Sequence, residues 1–598
     1  MASEEEVLGK AYDARLMRRL LGYLRPYTRQ VALALAAIIG GSALALAQPW
    51  LMKVAIDRYI AQRDLAGLNL IALGFLAVLV GSFVFEFLQT YILQYVGQRI
   101  MYDMRMQIYG HLQRVDLQYY DRNPVGRLMT RVTTDVDVLN DLFAAGVVSV
   151  FGDVFTLTGI MAVLVSMNWQ LALATFSVLP IIVLITQWFR SHVRESYRQV
   201  RLWIAKINAF LQENVSGMAT VQLFGREREN FSRFDAIDRA HRDANLDSVF
   251  YYAVFYPAIE VTSALATALI IWYGGGKVLA GALTIGSLVA FVQYAQRFFR
   301  PISDISEKFN LLQAAMASSE RIFTLLDTPV TIASPADGRR PTAAVSGQPS
   351  AGGIVFDHVS FAYNGRDFVL EDVSFEVEAG QRIGIVGATG AGKSTIINLL
   401  MRFYEVTRGR ILVDGVDIRD MDLAELRRHF SLVLQDVQLF SGTIASNIRL
   451  GSEVTDEEVR RAADAVHAGA FIDHLPQGIA SPVGERGASL SVGQKQLLSF
   501  ARALAFNPQV LILDEATSSV DTETELLIRD ALKVLMSGRT TIAVAHRLST
   551  IQDMDRILVF HKGQLREAGA HQELLARRGI YYRLYQLQYK DQEAAVVN

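Results

Sequence analysis

A chain of 598 residues exceeds what one compact core supports, so at least two domains are expected. Hydrophobic residues make up 51% and charged ones 20%, a mixture that predicts a lipid-facing part joined to a water-soluble part. The formal net charge of −2 gives no reason to expect nucleic acid as a partner, and the absence of cysteine excludes disulfides, thiolate metal sites and cysteine nucleophiles.

The first residues, MASEEE, are acidic and lack the apolar core of a cleaved leader, so insertion is expected to rely on the first spanning helix. Residues 12–30 mix basic and apolar side chains at helical spacing, which favours a position at the anionic cytoplasmic surface or marks a positive-inside flank of the first span. Six apolar windows follow: Val31–Met52, Leu68–Leu88, Leu142–Met167, Leu171–Trp188, Val249–Tyr273 and Ile285–Phe299. A helix crosses the hydrocarbon core with about 20 mainly apolar residues. Six such windows in series predict a helical six-span membrane domain rather than buried helices of a soluble protein. Arginines crowd the stretches 94–140 and 190–245, whereas Asn168-Trp169-Gln170 is uncharged and Tyr273–Thr284 carries only Lys277. Lys and Arg stay on the cytoplasmic side, so both termini and both long loops are expected in the cytosol, with helices continuing beyond the bilayer.

Glu86, Asp153 and Glu260 fall inside apolar windows and are costly in hydrocarbon, so they are expected to face water or the bundle interior. Two readings stay open for them, a cation or proton site on a translocation path and a structural hydrogen bond between helices. Pro180 and Pro257 are expected to bend their helices. The aromatics Phe250, Tyr251, Tyr252, Phe255 and Tyr256 suit either a substrate cavity or an interfacial belt.

Between Asp327 and Gly353 the composition turns to Pro, Ala, Ser, Thr and Gly. This predicts a membrane domain over 1–327, a linker over 328–352 and a second domain over 353–598. In the second domain apolar strands such as Arg382–Val386 and Val510–Leu513 alternate with helical patterns, the signature of an α/β fold with a largely parallel sheet. Gly387-Ala388-Thr389-Gly390-Ala391-Gly392-Lys393-Ser394 follows one of these strands and opens a helical run at Thr395. That context marks a P-loop, in which glycines turn backbone N–H groups onto phosphates at a helix N-terminus. Lys393 is then the partner of the outer phosphates and Ser394 a ligand of Mg²⁺. The apolar run Val510–Leu513 delivers Asp514 to the same ion, and Glu515 beside it is placed to polarise an attacking water.

With these residues in place the chain resembles the ATP-binding cassette (ABC) transporters, specifically half-transporters of the exporter type with the membrane domain fused ahead of the nucleotide-binding domain. The resemblance covers nearly the whole length. It implies that Tyr363 stacks on adenine, that Gln435 senses Mg²⁺ and water, that Ser491, Gly493 and Gln494 form the family signature, and that Asp521 and His546 lie at the dimer interface and the γ-phosphate. It also implies that Pro482–Gly487, Tyr120–Arg127 and Glu213–Glu227 couple the two domains. The expected cofactors are ATP and Mg²⁺. The expected partners are membrane lipids, a second half-transporter, and a hydrophobic or amphipathic drug, lipid or peptide, in the bacterial plasma (inner) membrane. The absence of a peptidase domain ahead of the first span argues against processing-coupled bacteriocin export. One position departs from the family pattern: Val492 stands where the signature has glycine. An altered signature beside an intact Glu515 implies one subunit of a heterodimer, with a homodimer as the alternative. An importer on the same fold and a nucleotide-gated channel or regulatory subunit are the rival functional readings.

Overall fold

The computed structural model describes residues 13–143, 147–334, 352–514, 522–544 and 551–587. The chain divides into two compact units, one of residues 1–113 with 125–328 and one of residues 114–124 with 329–598.

The first unit is helical: α1 (Ala14–Gly22), α2 (Thr28–Val54), α3 (Leu65–Leu112), and, after α4 (Leu117–Arg122), α5 (Val125–Val132), α6 (Thr134–Asp141), α7 (Val147–Met167), α8 (Trp169–Phe176), α9 (Leu179–Ser216), α10 (Met218–Leu223), α11 (Glu227–Leu269), α12 (Gly275–Leu279) and α13 (Ile285–Leu326). Four helical stretches among the described residues are long and apolar enough to cross a membrane: Arg25–Ile60, Leu65–Leu112, Trp169–Ser216 and Glu227–Leu279. The other two expected spans fall on α7, whose apolar stretch Phe151–Met167 is shorter, and on the first half of α13. At 1.5 Å per residue the 48 residues of α3 reach roughly 70 Å, more than twice a hydrocarbon core. The expected extension beyond the bilayer is therefore a property of these helices.

One of the two prolines expected to bend a helix, Pro180, acts differently. Pro180 bends no continuous helix, because α8 ends at Phe176 and Pro180 sits in the first turn of α9. A first-turn N–H has no intrahelical acceptor, so proline there costs no hydrogen bond. Pro257 lies inside α11, and Pro49, which the sequence reading passed over, lies inside α2. Pro49 has no N–H to give to the carbonyl of Ala45, four residues earlier. Arg297 of α13 supplies the missing donor: its guanidinium reaches Ala45 O at 2.5 Å and Gln48 Oε1 at 2.5 Å, while the Tyr294 hydroxyl donates to Leu46 O at 2.5 Å. Arg297 is the single charged residue of its apolar window. Removing it by Arg297→Met should destabilise the protein, and Pro49→Ala should offset part of that loss by returning an N–H to Ala45. The two substitutions are expected to couple by about 0.5–3 kcal/mol, read from thermal unfolding of single and double variants in lipid nanodiscs. Strict additivity would remove the Ala45 carbonyl as the link.

Other polar anchors follow along α13. Asp57 accepts from Thr284 Oγ1 at 2.5 Å and from Gly286 N at 2.8 Å, Lys308 pairs with Asp153, and Asp135 takes Ser318 and Arg321. Asp153 thus carries an interhelical ion pair, the structural one of its two readings. Glu86 and Glu260 are exposed on this chain. The N-terminal α1 docks one face on the end of α13, where Arg19 forks onto Asp327 with two bonds of 2.7 Å and lies 4.1 Å from the Phe323 ring centre; Arg15 and Arg18 stay exposed. Of the α11 aromatics, Tyr251, Tyr252 and Phe255 pack against α9, with Phe255 stacked on Phe189 at 4.1 Å and buried, while Phe250 and Tyr256 are exposed.

The second unit is built on a six-stranded sheet. Its strands in chain order are β1 (Ile354–Phe361), β2 (Leu370–Val377), β3 (Arg382–Gly387), β4 (Arg408–Val413), β5 (Val416–Asp417), β6 (Phe430–Val433), β7 (Gly442–Thr443), β8 (Pro482–Val483), β9 (Val510–Asp514), β10 (Thr540–Val544), β11 (Arg556–His561) and β12 (Gln564–Gly569). The main sheet runs β12-β11-β3-β10-β9-β6, parallel except for β12, beside a four-stranded antiparallel sheet β2-β1-β4-β5. Strand alternation divides the core in two: Val510 and Ile512 join one apolar cluster, Leu511 and Leu513 the other. Helices α14 (Lys393–Leu400), α15 (Leu423–Arg428), α16 (Ile444–Arg449), α17 (Asp456–Ala465), α18 (Gly469–Asp473), α19 (Val492–Ala505) and α20 (Thr522–Met536) connect the strands.

Candidate nucleotide site

Parallel strands end on one edge, and the site residues follow from that. Val544 of β10 lies opposite Ile385 of β3 on one side and Asp514 of β9 on the other. Val433 of β6 lies opposite Leu513. The loop after β3, Asp514 and Gln435 two residues beyond β6 therefore gather at the carboxyl edge of the sheet, where ligands of open parallel sheets bind.

Gly387 ends β3, and the loop Ala388–Gly392 runs into α14. Gly390 and Gly392 have φ of +80° and +97°, values that side chains resist. A Cβ on Gly392 would also stand 2.6 Å from Leu370 Cδ2 and 3.1 Å from Val369 O, so glycine is required there twice over. Thr389 and Gly390 are exposed, Ala391 is buried, and Ser394 is exposed in the first turn of α14 beside buried Thr395. Lys393 is 7% exposed, and its ammonium donates to Gly387 O at 2.8 Å and Ala388 O at 3.2 Å. A buried cation wrapped by its own loop, at the N-terminus of a helix, is a built anion site.

A divalent cation would find oxygen donors here: the Ser394 hydroxyl, the Asp514 carboxylate and the exposed Gln435 amide. Such an all-oxygen set with a single carboxylate suits Mg²⁺, a hard cation that completes its shell with phosphate oxygens and water. Among the described residues no group of three His, Cys, Asp or Glu side chains forms a metal cage.

Tyr363 lies just after β1. Its ring meets Phe361 edge-on at 4.8 Å and Tyr404 at 5.1 Å, and its hydroxyl lies 3.1 Å from Thr395 Oγ1. The signature forms the start of α19. Ser491 caps that helix in a reciprocal box, with Gln494 N to Ser491 Oγ at 3.2 Å and Ser491 N to Gln494 Oε1 at 2.9 Å. Gly493 is buried, whereas Val492 is 54% exposed at the helix's first position. The Pro482–Gly487 segment begins as β8, paired with β7, so it runs beside the chain that follows Gln435. The segment Glu213–Glu227 holds the end of α9, α10 and the start of α11, with Leu223 79% and Phe224 69% exposed. Glu515, Asp521 and His546 lie outside the described residues.

Sequence reasoning missed Arg297 and Tyr404, and gave Asp121 no role of its own within Tyr120–Arg127. Arg297 carried a sequence signal, as an isolated charge in an apolar window. Tyr404 became visible only through its partners.

Residues 31–302 match the family of ABC transporter transmembrane regions, and residues 370–518 match the ABC transporter family. The probable multidrug resistance ABC transporter ATP-binding/permease protein YheH of Bacillus subtilis (strain 168) is 38% identical over 88% of this chain and 78% of its own. The ATP-dependent lipid A-core flippase of Syntrophus aciditrophicus (strain SB) is 36% identical over 96% of this chain and 95% of its own. The solved structure of a bacterial Atm1-family ABC exporter with ATP bound superposes with a TM-score of 0.75 at 30% identity, covering 94% of this chain and 98% of that one. With a helical membrane domain and an ATP-binding domain fused in one chain, and with the fold of an exporter, the protein belongs to the ABC transporters and is an ATPase of membrane transport.

Proposed function

We propose that this chain exports a hydrophobic or amphipathic substrate, a drug, lipid or peptide, across the bacterial inner membrane by alternating access. In this reading 1–327 is the membrane domain, 328–352 the linker and 353–598 the ATPase domain, with both termini in the cytosol. The observation that carries it is the gathering of the Lys393 loop, Asp514 and Gln435 on one sheet edge, in a chain whose other unit holds membrane-length helices. Glu515 polarises the attacking water, His546 and Gln435 contact the γ-phosphate and its water, and Tyr363 stacks on adenine. Gly387, Thr389, Gly390, Ala391, Gly392, Lys393, Ser394 and Thr395 cradle the phosphates, with Mg²⁺ held by Ser394, Asp514 and Gln435. The named relatives, one a probable multidrug protein and one a lipid A-core flippase, support the amphipathic class.

The working unit is a dimer, in which Ser491, Gly493, Gln494 and Asp521 of one half complete the ATP site of the other. Exposed carboxylates at membrane depth, Glu86 and Glu260, support this, because lipid is a poor neighbour for them and a second chain or an aqueous cavity is a good one. So do the exposed Leu223 and Phe224 of the second coupling segment. Val492 favours a heterodimer: a β-branched side chain at the first turn of α19 keeps the backbone from the close approach that glycine allows. The test is Mg-ATP hydrolysis by the purified chain alone in lipid nanodiscs against Glu515→Gln. Little turnover from a chain that binds ATP supports a missing partner half. Brisk turnover that Glu515→Gln abolishes would replace the heterodimer by a homodimer. Substrate accumulation in inside-out vesicles reads the direction, and its appearance only in right-side-out vesicles would make the protein an importer.

A further inference from the structure

Residues 114–124 come between two helices of the membrane unit in the sequence, yet they belong to the nucleotide-binding unit. Helix α4 is anchored there at both ends. At its start Asp116 accepts from Thr331 N at 3.1 Å, from the Thr331 hydroxyl and from Ile332 N at 3.1 Å. Towards its end Gln118 Nε2 donates to Tyr363 O at 3.0 Å, Arg122 reaches the same carbonyl at 3.5 Å, and the Tyr404 hydroxyl donates to the Asp121 carboxylate.

Tyr404 is 5% exposed, and its ring is wedged edge-on against Tyr363 at 5.1 Å and Phe361 at 5.7 Å. Burial, helped by the Asp121 charge, pushes its phenol far above the ordinary value of 10, so it is a permanent donor. Tyr363 in turn touches Thr395 of α14 through its hydroxyl. One unbroken line of contacts therefore runs from the helix of the phosphate loop to α4: Thr395, Tyr363, Tyr404, Asp121. The two ends of Tyr404 do different things. Its ring supports Tyr363, and its hydroxyl holds α4.

We propose that Tyr404 is a positioning residue that passes nucleotide occupancy from Tyr363 to α4. The proposal rests on the reading of Tyr363 as the adenine platform. A base stacking on Tyr363 restricts a ring that is packed on Tyr404 and a backbone carbonyl that α4 already grips, so the bound and free states differ in how α4 is held. A ligand shifts a conformational equilibrium only through such differential contacts. Anchorage of α4 without coupling is the competing account, and the two differ in a measurable way.

The chain has no native cysteine, so Leu117→Cys, 39% exposed at the start of α4, takes an environment-sensitive fluorophore without other changes. In the Glu515→Gln background in lipid nanodiscs, Mg-ATP should change the fluorescence of this label. Affinity is read separately with a trinitrophenyl analogue of ATP. Tyr404→Phe keeps the ring and loses the hydroxyl: nucleotide affinity should stay within about twofold while the label response falls at least about threefold. Asp121→Asn keeps an acceptor and should retain most of the response, whereas Asp121→Ala should reproduce Tyr404→Phe. Tyr404→Ala should weaken nucleotide binding as well. A full label response in Tyr404→Phe, or none in the parent, would overturn the relay. Unchanged affinity in Tyr363→Ala would instead remove the adenine platform on which the relay rests. That result is independent of the response in Tyr404→Phe.

Discussion

Replacing Lys393 by alanine is expected to lower ATP hydrolysis by at least about a hundredfold, the scale seen when one preorganised electrostatic contact to developing charge is removed. The reason lies in how the side chain is held. Lys393 is 7% exposed and turned back onto its own loop, where Gly387 O and Ala388 O accept at 2.8 and 3.2 Å. The ammonium is thus already desolvated and aimed at the space the loop encloses, so a phosphate meets it with little reorganisation. Lys393→Arg should fare little better, because a planar fork with five donors does not fit a buried point-charge position. The check is steady-state Mg-ATP turnover of the assembled transporter in nanodiscs, beside Glu515→Gln. Turnover within tenfold of the parent would put the phosphate contact elsewhere.

The second large effect concerns stability. Asp135 of α6 is buried, its side chain 8% exposed, and it accepts from Ser318 Oγ at 2.9 Å and from the Arg321 fork, Nε at 3.0 Å. Arg321→Ala would leave that carboxylate buried with one neutral hydroxyl as partner. Breaking a buried pair from one side costs about 3–5 kcal/mol. Arg321 is itself 31% exposed, so water reaches the pair and the lower end, about 3 kcal/mol, is the expectation. Removing both charges with Asp135→Ala and Arg321→Ala together should recover a large part of the loss, because no charge is then left unpaired. Thermal unfolding followed by tryptophan fluorescence distinguishes the cases. Equal shifts for Arg321→Ala and the double variant would mean that the site owes its stability to packing rather than to charge.

Both effects depend on residues of very different legibility. Lys393 was readable because the P-loop is a local device: its glycines, its lysine and the helix it opens lie within about ten residues, and strand, turn and helix patterns flank them in order. Asp514 was readable for the same reason, at the end of an apolar strand. Tyr363, Gln435 and the signature had no such local grammar and were reached through resemblance. The structure then put the end of β6, two residues before Gln435, opposite Leu513 of β9, and gave Ser491 its capping box on α19.

Arg321 carried no signal, since its partner lies 186 residues earlier. In Lys308 with Asp153, Tyr404 with Asp121 and Arg297 with the carbonyl that Pro49 leaves free, one member stood out in the sequence but its distant partner did not. Pro180 shows the opposite failure, a local rule applied without knowing where the helix begins.

By itself, then, the sequence determined the membrane-spanning half, the α/β ATPase half and the phosphate-binding chemistry. These depend on the length of apolar runs, on the period of side chains and on backbone geometry within a few residues. Only the tertiary structure decided which charges in the long helices are satisfied, and by what. It also decided that residues 114–124 belong with the nucleotide-binding unit. Those outcomes are set by which helix faces meet across more than a hundred residues of chain, and a one-dimensional pattern holds no record of that.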